Sequence, residues 1–531
     1  MPLTLTLASI LLIVVLLVVF KKSADFSGIV GLAVISAVAL LFFNTSFEVV
    51  ARSAAAGLIK SFSVSLIVAT SLLQMALMEK SGALKRIIIF IKTIGSGNKA
   101  VQIMLINIGF GTLMVSVGAT PVSLLPPILL GMGYSTYVAI ALPAIGYDSL
   151  CTYALLGAPI VVFVDMANGF LSKSGMLAAG TEITLSGVGR IFSYFLPITS
   201  VMIGLSMLWI TGKWEGIKKG LLPCLITGLV IGVISYFTNR VDNLVVLTGV
   251  FCGVGVIIAM LCYLKATGRK IVDKGCLTAE ELKYEKEYSL LRALSPWILL
   301  IGMILVLNVP QDLFNQLYRV LLFPVNGLSA DGTAINTRFL WNAYTWILAS
   351  TILSIFILRP TRPQLKDTMR AWLKRAPRPV LAAAVFFAIG EVMNMSGFDM
   401  ATNTFKTDSM IKVLADASAN LFQSAYGGVV ALIGLFGGFI TGSEASTIAM
   451  FAKYTMKTSA NLGLDLTDMI IITAGLAFGG GLASVISPAK LQNAAASIDK
   501  IGEENKVIRT AFTFSIIFTA VTSVYIMILL R

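Results

Sequence analysis

Long apolar segments alternate with short polar ones along the whole of this 531-residue chain. Many of the apolar runs approach the roughly 20 residues that cross a bilayer as an α-helix; examples are 3–20, 29–43, 222–237 and 244–264. We count about eleven to fourteen such segments, including several that are interrupted. The pattern therefore predicts an all-α polytopic membrane protein.

One interrupted segment, 427–447, is the most informative stretch of the chain. Its apolar, glycine-rich first part stops at Thr441, Gly442 and Ser443, and Glu444 follows at once. Backbone groups at membrane depth are tolerated only where they are buried in protein or line a cavity. Because secondary transporters place their binding sites at broken helices of this kind, we expect the functional site at this interruption.

The first half of the chain carries features that match the second half in the same order. Three pairs correspond: 78–82 with 393–397, 118–121 with 441–444, and 157–159 with 486–488. Thr120 followed by Pro121 has the pattern of a helix N-cap with proline at the first helical position. The series predicts an internal repeat, with interrupted helices in corresponding positions of the two halves.

The same features divide the chain into five predicted regions. They are N-terminal scaffold helices in 1–54, a first repeat in 55–212, linker and scaffold helices in 213–358, a basic loop in 359–378 and a second repeat in 379–531. Within the third region, the polar stretch 265–292 is predicted to be a cytoplasmic loop. The first apolar run lacks a basic start and a small-residue cleavage site, so we predict a retained helix and not a signal peptide.

Charge is scarce and lies mainly in the loops. Hydrophobic residues make up 57% of the chain and charged residues 12%, about half the charged fraction of a soluble protein. The net charge of +14 reflects the bias of cytoplasmic loops towards Lys and Arg, so we predict no nucleic-acid partner and a multi-pass protein of the cell membrane. Lys21 and Lys22 then leave the N-terminus outside. The densest basic loop contains Arg359, Arg362, Lys366, Arg370, Lys374, Arg375 and Arg378.

The interruptions together predict a cradle for a small carboxylate. A helix start offers unpaired N–H groups and a partial positive charge, and both stabilise an anion. Hydroxyl groups and one ammonium group add further donors near these starts. The alternative is that the interruptions are packing kinks with no ligand. The predicted substrate-binding residues are Gly118, Thr120, Gly157, Thr441, Gly442, Ser443, Ser487 and Lys490.

Three carboxyl groups within apolar segments are candidates for ion coupling: Glu444, Glu391 and Asp148. An ionised carboxylate without a partner is costly inside a membrane, so Glu444 must be paired, protonated or beside a wet cavity. Its alternative role is to cap its own helix, since an acidic residue is favourable in the first turn. Lys490 meets the substrate carboxylate, neutralises Glu444 or extends its ammonium to the membrane interface.

Motifs for other energy sources and for catalysis are missing from the sequence. It has no histidine and no G-x-x-x-x-G-K-[ST] loop, and we interpret the glycines at 479–481 as close helix packing. Five irregularly placed cysteines give no disulfide framework, and no metal-ligand cluster is visible. An ion gradient is therefore the predicted energy source, with no cofactor and no enzymatic activity.

Several of these stretches resemble bacterial L-lactate permeases. Residues 438–446, GFITGSEAS, are similar to that family's F-[LI]-T-G-S-[DE]-x-S stretch, and the I-S-P at 486–488 is shared. The alanines at 494–496 and Gly502-Glu503-Glu504 resemble the alanine-rich and G-K-E segment that follows it. The C-terminal third therefore carries the more specific part of the resemblance.

The first half resembles the same family less closely. Residues 117–122 and 156–160 stand where the family has G-F-G-T-P-V and L-G-[IV]-P. The family's acidic residue before G-F-G-T-P falls on Leu113, and its N-T-A-P segment falls near 147–150. These departures lie in the predicted substrate pocket, so they bear on the substrate more than on the fold.

The resemblance implies a cation-coupled permease for lactate or glycolate. It also implies the fold of a broader group of ion transporters, with two inverted repeats, re-entrant hairpins and elevator motion in a homodimer. We therefore predict a secondary active symporter that imports a small monocarboxylate, L-lactate or glycolate, with protons. The alternatives are a sodium-coupled carrier of another small organic anion, a channel-like or membrane-structural protein without coupled transport and, third, a membrane enzyme.

Overall fold

Helices make up almost the whole fold, because every backbone polar group inside a bilayer needs a partner within the protein. The computed structural model describes residues 1–95, 98–177, 181–484, 486, 488–500 and 502–530. Within these ranges, eleven helices are long and apolar enough to cross a membrane, and three shorter apolar helices accompany them. The predicted all-α polytopic architecture is thus confirmed.

The helices follow one another with few extended segments. In chain order they are α1 Pro2–Val18, α2 Ala24–Phe42, α3 Phe47–Lys60, α4 Phe62–Lys80, α5 Ala83–Lys92, α6 Lys99–Ile103, α7 Gly111–Ser116, α8 Pro121–Gly131, α9 Thr136–Gly146, α10 Ala154–Ser174, α11 Leu185–Thr238, α12 Thr248–Ala266, α13 Ala279–Glu287, α14 Leu290–Asn308, α15 Gln311–Asn315, α16 Ala343–Leu358, α17 Arg362–Arg375, α18 Pro377–Met395, α19 Met410–Phe422, α20 Tyr426–Thr441, α21 Glu444–Asn461, α22 Leu466–Ser484, α23 Pro488–Ala496 and α24 Glu504–Leu529.

Shorter elements join some of these helices. A π-helical segment, Met104–Phe110, connects α6 to α7, and a 3-10 segment, Tyr147–Tyr153, connects α9 to α10. The strands form two small antiparallel hairpins in the connections between helices. They are β1 Pro324–Val325 with β2 Ile335–Asn336, and β3 Phe398–Asp399 with β4 Thr404–Phe405.

The helices α6, α7 and α8 form a helical hairpin in the first half. The phenol of Tyr134, just after α8, donates to Gln102 Oε1 in α6 at 3.0 Å. The start of the first arm and the end of the second arm therefore lie side by side. Gly118 turns the chain at the tip with a φ of +86°. Lys92 lies against the end of α8 and pairs with Glu281 of the polar linker. The base of this hairpin therefore faces the linker.

The helices α20 and α21 form a second hairpin, which opens to the opposite side. Gly442 turns the chain at its tip with a φ of +67°. At its base, Asn461 donates to Asp416 of α19 at 2.6 Å. Thr407, between β4 and α19, donates to the carbonyl oxygen of Phe43 at the end of α2. Because α3 and α4 run from that end of α2 to the linker side, the two hairpins enter from opposite sides.

Two further membrane helices are interrupted near their middle. In the first half, residues 155–157 adopt the left-handed conformation, with φ values of +54°, +54° and +75°, and α10 continues regularly beyond them. In the second half, α22 ends at Ser484 and α23 begins at Pro488. Ser487 lies between them and outside the described residues. Both interruptions fall where the glycine and proline residues predict them.

The third predicted pair of features ends a helix in each half. The helices α4 and α18 both stop before a left-handed glycine, Gly82 with a φ of +81° and Gly397 with a φ of +80°. A left-handed glycine is a common way to end a helix, because it needs no Cβ. Taken with the hairpins and the interrupted helices, the two halves have the same order of elements in opposite orientation.

Glycine also lets α20 and α22 pack at backbone distance. Gly434 and Gly438 of α20 face the carbonyl oxygens of Leu476 and Gly480 so closely that a Cβ at either glycine would overlap them. Small residues four apart permit this approach between membrane helices. Gly479 and Gly480 therefore serve helix packing, as predicted, whereas a Cβ on Gly481 would meet the Glu444 side chain. The second hairpin is thus fixed to the helix that follows it.

The segment 55–78 belongs to two helices. They are α3, which ends at Lys60, and α4, which begins at Phe62, with Ser61 between them. The Ser61 hydroxyl donates to the carbonyl oxygen of Leu58 at 2.7 Å, a local bond that competes with regular helix geometry. The break leaves Lys60 at the end of α3.

Two exposed segments lie together at the end of α4. Arg375 of α17 pairs with Glu79, one residue before α4 ends. Glu280 of α13 pairs with Lys85 of α5 at 3.1 Å. The basic loop and the linker are therefore on the same side of the molecule, as their predicted cytoplasmic location requires.

This arrangement predicts a labelling pattern. Single cysteines at Arg370 and Lys283, in a background without the exposed Cys262 and Cys276, should react with an impermeant maleimide only from the cytoplasm. A cysteine at Glu48, at the other end of the α3–α4 pair, should react only from outside. Reaction of positions 370 and 283 from opposite sides would contradict the fold, and reaction of both from outside would reverse the orientation.

Candidate functional site

Glu444 is buried at the tip of the second hairpin and contacts the first half of the chain. Its residue exposure is 2%, and its Oε1 accepts a hydrogen bond of 2.7 Å from the Thr152 hydroxyl. Its Oε2 accepts no hydrogen bond from a nitrogen or oxygen atom of the described residues. A Cβ placed on Gly481 would lie 2.7 Å from that oxygen, so the glycine makes the room that the carboxyl group occupies.

The hairpin tip satisfies its own backbone without this carboxyl group. Ser443 is the N-cap of α21, and its hydroxyl accepts from the N–H of Ser446 at 3.4 Å. The Thr441 hydroxyl accepts from the N–H of Ser443 at 3.2 Å, and the Thr447 hydroxyl donates to the Ser443 carbonyl at 2.8 Å. The side chain of Glu444 therefore reaches across to Thr152, while Ser443 performs the capping.

The tip of the first hairpin lies against the same connection between α9 and α10. A Cβ on Gly118 would meet the Ser71 Cβ at 2.8 Å and the Leu155 side chain at 3.4 Å. Thr120 is exposed and precedes α8 as its N-cap residue, but its hydroxyl does not cap that helix. Since Thr152 touches the other tip, both hairpin tips converge on residues 152–155.

The interruption of α10 borders a cavity between α10 and the helices α4, α14 and α16. Leu155, Leu156 and Ala158 line one wall, while α4, α14 and α16 supply the other, with Ser63, Asn308 and Asn342 as its polar residues. Gly157 itself does not face this cavity. A Cβ there would meet the Val246 backbone at 3.1 Å, so Gly157 permits a close contact with the segment before α12.

A second buried carboxylate, Glu391 of α18, is held by two lysines. Its Oε2 pairs with Lys60 of α3 at 2.8 Å, and its Oε1 pairs with Lys453 of α21 at 2.9 Å. The Glu391 residue is 5% exposed and the Lys453 residue 9%. The group carries one surplus positive charge and ties the second hairpin to α3 and α18.

The remaining predicted residues differ in what the structure describes of them. Lys490 is half-buried in α23, and its ammonium attracts the Glu444 carboxyl group. Ser487 and the side chain of Asp148 lie outside the described part of the chain. In the ranges that the structure does describe, no group of three or more Cys, Asp or Glu residues has the arrangement of a metal site.

These features can be compared with known proteins. The sequence profile of the L-lactate permease family matches residues 3–531. The chain belongs to the L-lactate permease family.

Individual relatives of this permease are distant but similar over most of their length. The L-lactate permease of Salmonella typhi is 22% identical over 457 residues, which cover 80% of this chain and 77% of the relative. The glycolate permease of Escherichia coli strain K12 is 23% identical over 470 residues, with the same coverage. The L-lactate permease of Bacillus subtilis is 22% identical and covers 92% of this chain and 89% of its own.

A solved structure was also found to be similar in part. The Neisseria gonorrhoeae protein MtrF, described as illuminating a class of antimetabolite efflux pumps, aligns with 88% of this chain and 82% of its own. The TM-score is 0.41 and the sequence identity 14%. A similarity at this level says nothing further about the permease.

Sequence reasoning overlooked the residues that contact the two carboxyl groups. Thr152 and Gly481 carry no local signal, since a threonine and a glycine in apolar segments are common. Lys60 and Lys453 did carry a local signal, because a lysine within a membrane helix is costly and requires a partner. Asking which carboxylate each lysine meets would have pointed to Glu391.

The room beside Glu444 gives a first prediction for this site. Gly481→Ala should displace the carboxyl group and lower transport at least tenfold, because the new methyl group would overlap Oε2. Gly428→Ala is the matched control, since a Cβ there meets Met527 only at ordinary contact distance. Uptake by equal amounts of folded protein in proteoliposomes measures both. Normal uptake by Gly481→Ala would show that the position of this carboxyl group is unimportant.

The charged group around Glu391 gives a second prediction. Glu391→Gln leaves the buried ammonium of Lys453 beside the half-buried ammonium of Lys60 without an anion and should lower the free energy of unfolding by about 3–5 kcal/mol. Adding Lys453→Met to this variant should restore part of the loss, because it removes the more buried cation. Thermal unfolding in detergent measures the effect. If Glu391→Gln costs no more than Lys60→Met alone, the three charges do not act as a unit.

Proposed function

We propose that this protein is a secondary active symporter that imports a small monocarboxylate, L-lactate or glycolate, together with protons. Membership of the L-lactate permease family supports transport of lactate or glycolate. Proton coupling rests on one observation, the buried carboxyl group of Glu444 at a hairpin tip. We further propose that the protein acts as a carrier and not as an enzyme.

Glu444 is suited to carry a proton because few neighbouring groups stabilise its ionised form. Its oxygens receive hydrogen bonds from the Thr152 hydroxyl and the Cys151 thiol and the attraction of Lys490, and the carboxyl group is buried. A carboxyl group in such surroundings is stabilised when it holds a proton. Opening of either side to water would allow the proton to leave. Glu444 thus has a stable protonated form while it is buried, and it can release the proton when water reaches it.

The substrate carboxylate is proposed to bind near the same tip. The N-termini of α8 and α21 offer partial positive charge. The Thr120 hydroxyl, at the start of α8, is not used to cap that helix. Lys490 attracts the Glu444 carboxyl group, and we propose that it also attracts the substrate carboxylate. Protonation of Glu444 weakens the first attraction and favours the second, which links binding of the proton to binding of the substrate.

The opposed hairpins supply a physical basis for access from two sides. Each hairpin enters from one side, and the two tips converge on the α9–α10 connection. A proton and a monocarboxylate together carry no net charge, so the loaded site avoids the cost of moving a bare charge through the bilayer. We propose that movement of the two hairpin tips relative to residues 152–155 exposes the site to each side in turn.

Glu444→Gln tests this function. The amide mimics the protonated carboxyl group, so exchange of labelled L-lactate for internal L-lactate should continue in proteoliposomes. Net uptake driven by a pH gradient should fall to background, because the empty carrier has no proton to release. A parallel sodium gradient and a panel of carboxylates identify the ion and the substrate.

Glu48→Gln is the matched control. Glu48 also lies in the first turn of a helix, but it is exposed and pairs with Arg52. If acidic residues at helix starts act only on the helix dipole, both variants lose about 0.3–1 kcal/mol of stability and keep gradient-driven uptake. Equal effects of Glu444→Gln on exchange and net uptake would remove this residue from the coupling role.

A further inference from the structure

The basic loop forms a helix that is attached directly to two membrane-crossing helices. Arg359 ends α16 in the left-handed conformation with a φ of +46°, and α17 begins three residues later. Thr361 and Gln364 form a capping box at its start. Only Ala376 separates α17 from α18. The short connections at both ends hold α17 at the level where the chain leaves the membrane.

One side of α17 is committed to the protein. The indole N–H of Trp372 donates to the carbonyl oxygen of Ala69 in α4 at 2.8 Å. Thr368, one turn earlier, is buried. Arg375 pairs with Glu79 near the end of α4. These contacts fix how the helix is rotated, and therefore which side chains it presents to the surroundings.

The other side presents apolar and cationic side chains next to one another. Met369 is 45% exposed and Leu373 60% exposed. Helical spacing of three and four residues places Lys366 and Arg370 beside them, and Arg362 lies one turn earlier. At a membrane surface, the apolar groups enter the acyl region while the cations remain at the headgroups.

Little of the positive charge in this loop is neutralised by the protein. Seven basic residues, at 359, 362, 366, 370, 374, 375 and 378, accompany a single acidic one, Asp367. Among the residues that the structure describes, the ion pairs of this loop are those of Arg370 with Asp367 and of Arg375 with Glu79. Clusters of four to eight cations beside a membrane helix attract anionic lipids.

We propose that α17 is a binding surface for anionic phospholipids. The phosphate groups of the adjacent leaflet meet Arg362, Lys366 and Lys374, and the side chains of Met369 and Leu373 insert among the first acyl carbons. The combination of charge with an uncovered apolar edge selects a lipid over a soluble acidic protein, because the edge is at the membrane level. This surface is separate from the hairpin tips.

Native mass spectrometry of the full-length protein tests the proposal. The detergent-solubilised protein is equilibrated with equal amounts of phosphatidylglycerol and phosphatidylcholine, and the retained lipids are counted. The parent should retain phosphatidylglycerol preferentially. In the triple variant R362Q/K366Q/K374Q, the ratio of retained phosphatidylglycerol to phosphatidylcholine should fall at least about fivefold, which is the effect expected from the loss of one surface cation. An unchanged preference overturns the proposal.

Three further measurements separate the lipid surface from simpler causes. The variant K270Q/K283Q/K286Q removes three exposed lysines from the linker on the same side and should keep the preference. An equal loss there would mean that net charge alone decides it. M369S/L373S keeps every cation and should still lower phosphatidylglycerol retention. If glycerol phosphate displaces the lipid at equal concentration, α17 recognises phosphate alone and the lipid assignment is wrong.

Discussion

A helix that ends inside a membrane exposes backbone N–H and C=O groups that water cannot reach, and this constraint shapes the centre of the protein. At the second hairpin tip, three hydroxyl groups within seven residues supply the missing partners. Ser443, Thr441 and Thr447 satisfy the turn between α20 and α21 among themselves. Because the turn is complete without Glu444, that side chain is available to contact the other half of the chain.

The glycine contacts determine which parts of the molecule can move together. The helices α20 and α22 touch through backbone atoms at Gly434 and Gly438, so the hairpin cannot separate from α22 without losing a continuous set of close contacts. The boundary between α10 and the helices α4, α14 and α16 is packed less closely, since it contains a cavity with polar residues at its wall. In any rearrangement that exposes the tips, the second hairpin and α22 must move as one body.

The interruptions of the helices were predictable from the sequence, whereas their neighbours were not. Gly118, Gly442 and Pro159 mark the breaks because glycine permits positive φ and proline starts a helix. Leu155 and Leu156 also turn left-handed, which leucine disfavours, so only the tertiary structure could place them in the break. The contact between Thr152 and Glu444 joins residues 292 positions apart, and no local pattern records such a pairing.

The two buried carboxyl groups of the second repeat differ in the charge around them, and this difference argues for different roles. Glu391 lies between two ammonium groups, so protonating it would leave the buried Lys453 and the half-buried Lys60 without an anion, a state that low dielectric makes costly. Glu444 has a hydroxyl donor, a thiol donor and a single lysine that is half-buried, so gaining a proton there removes a buried charge. The first arrangement resists a change of protonation and suits a fixed connection between the hairpin and its scaffold. The second permits the change, at a point where the hairpin meets the opposite half.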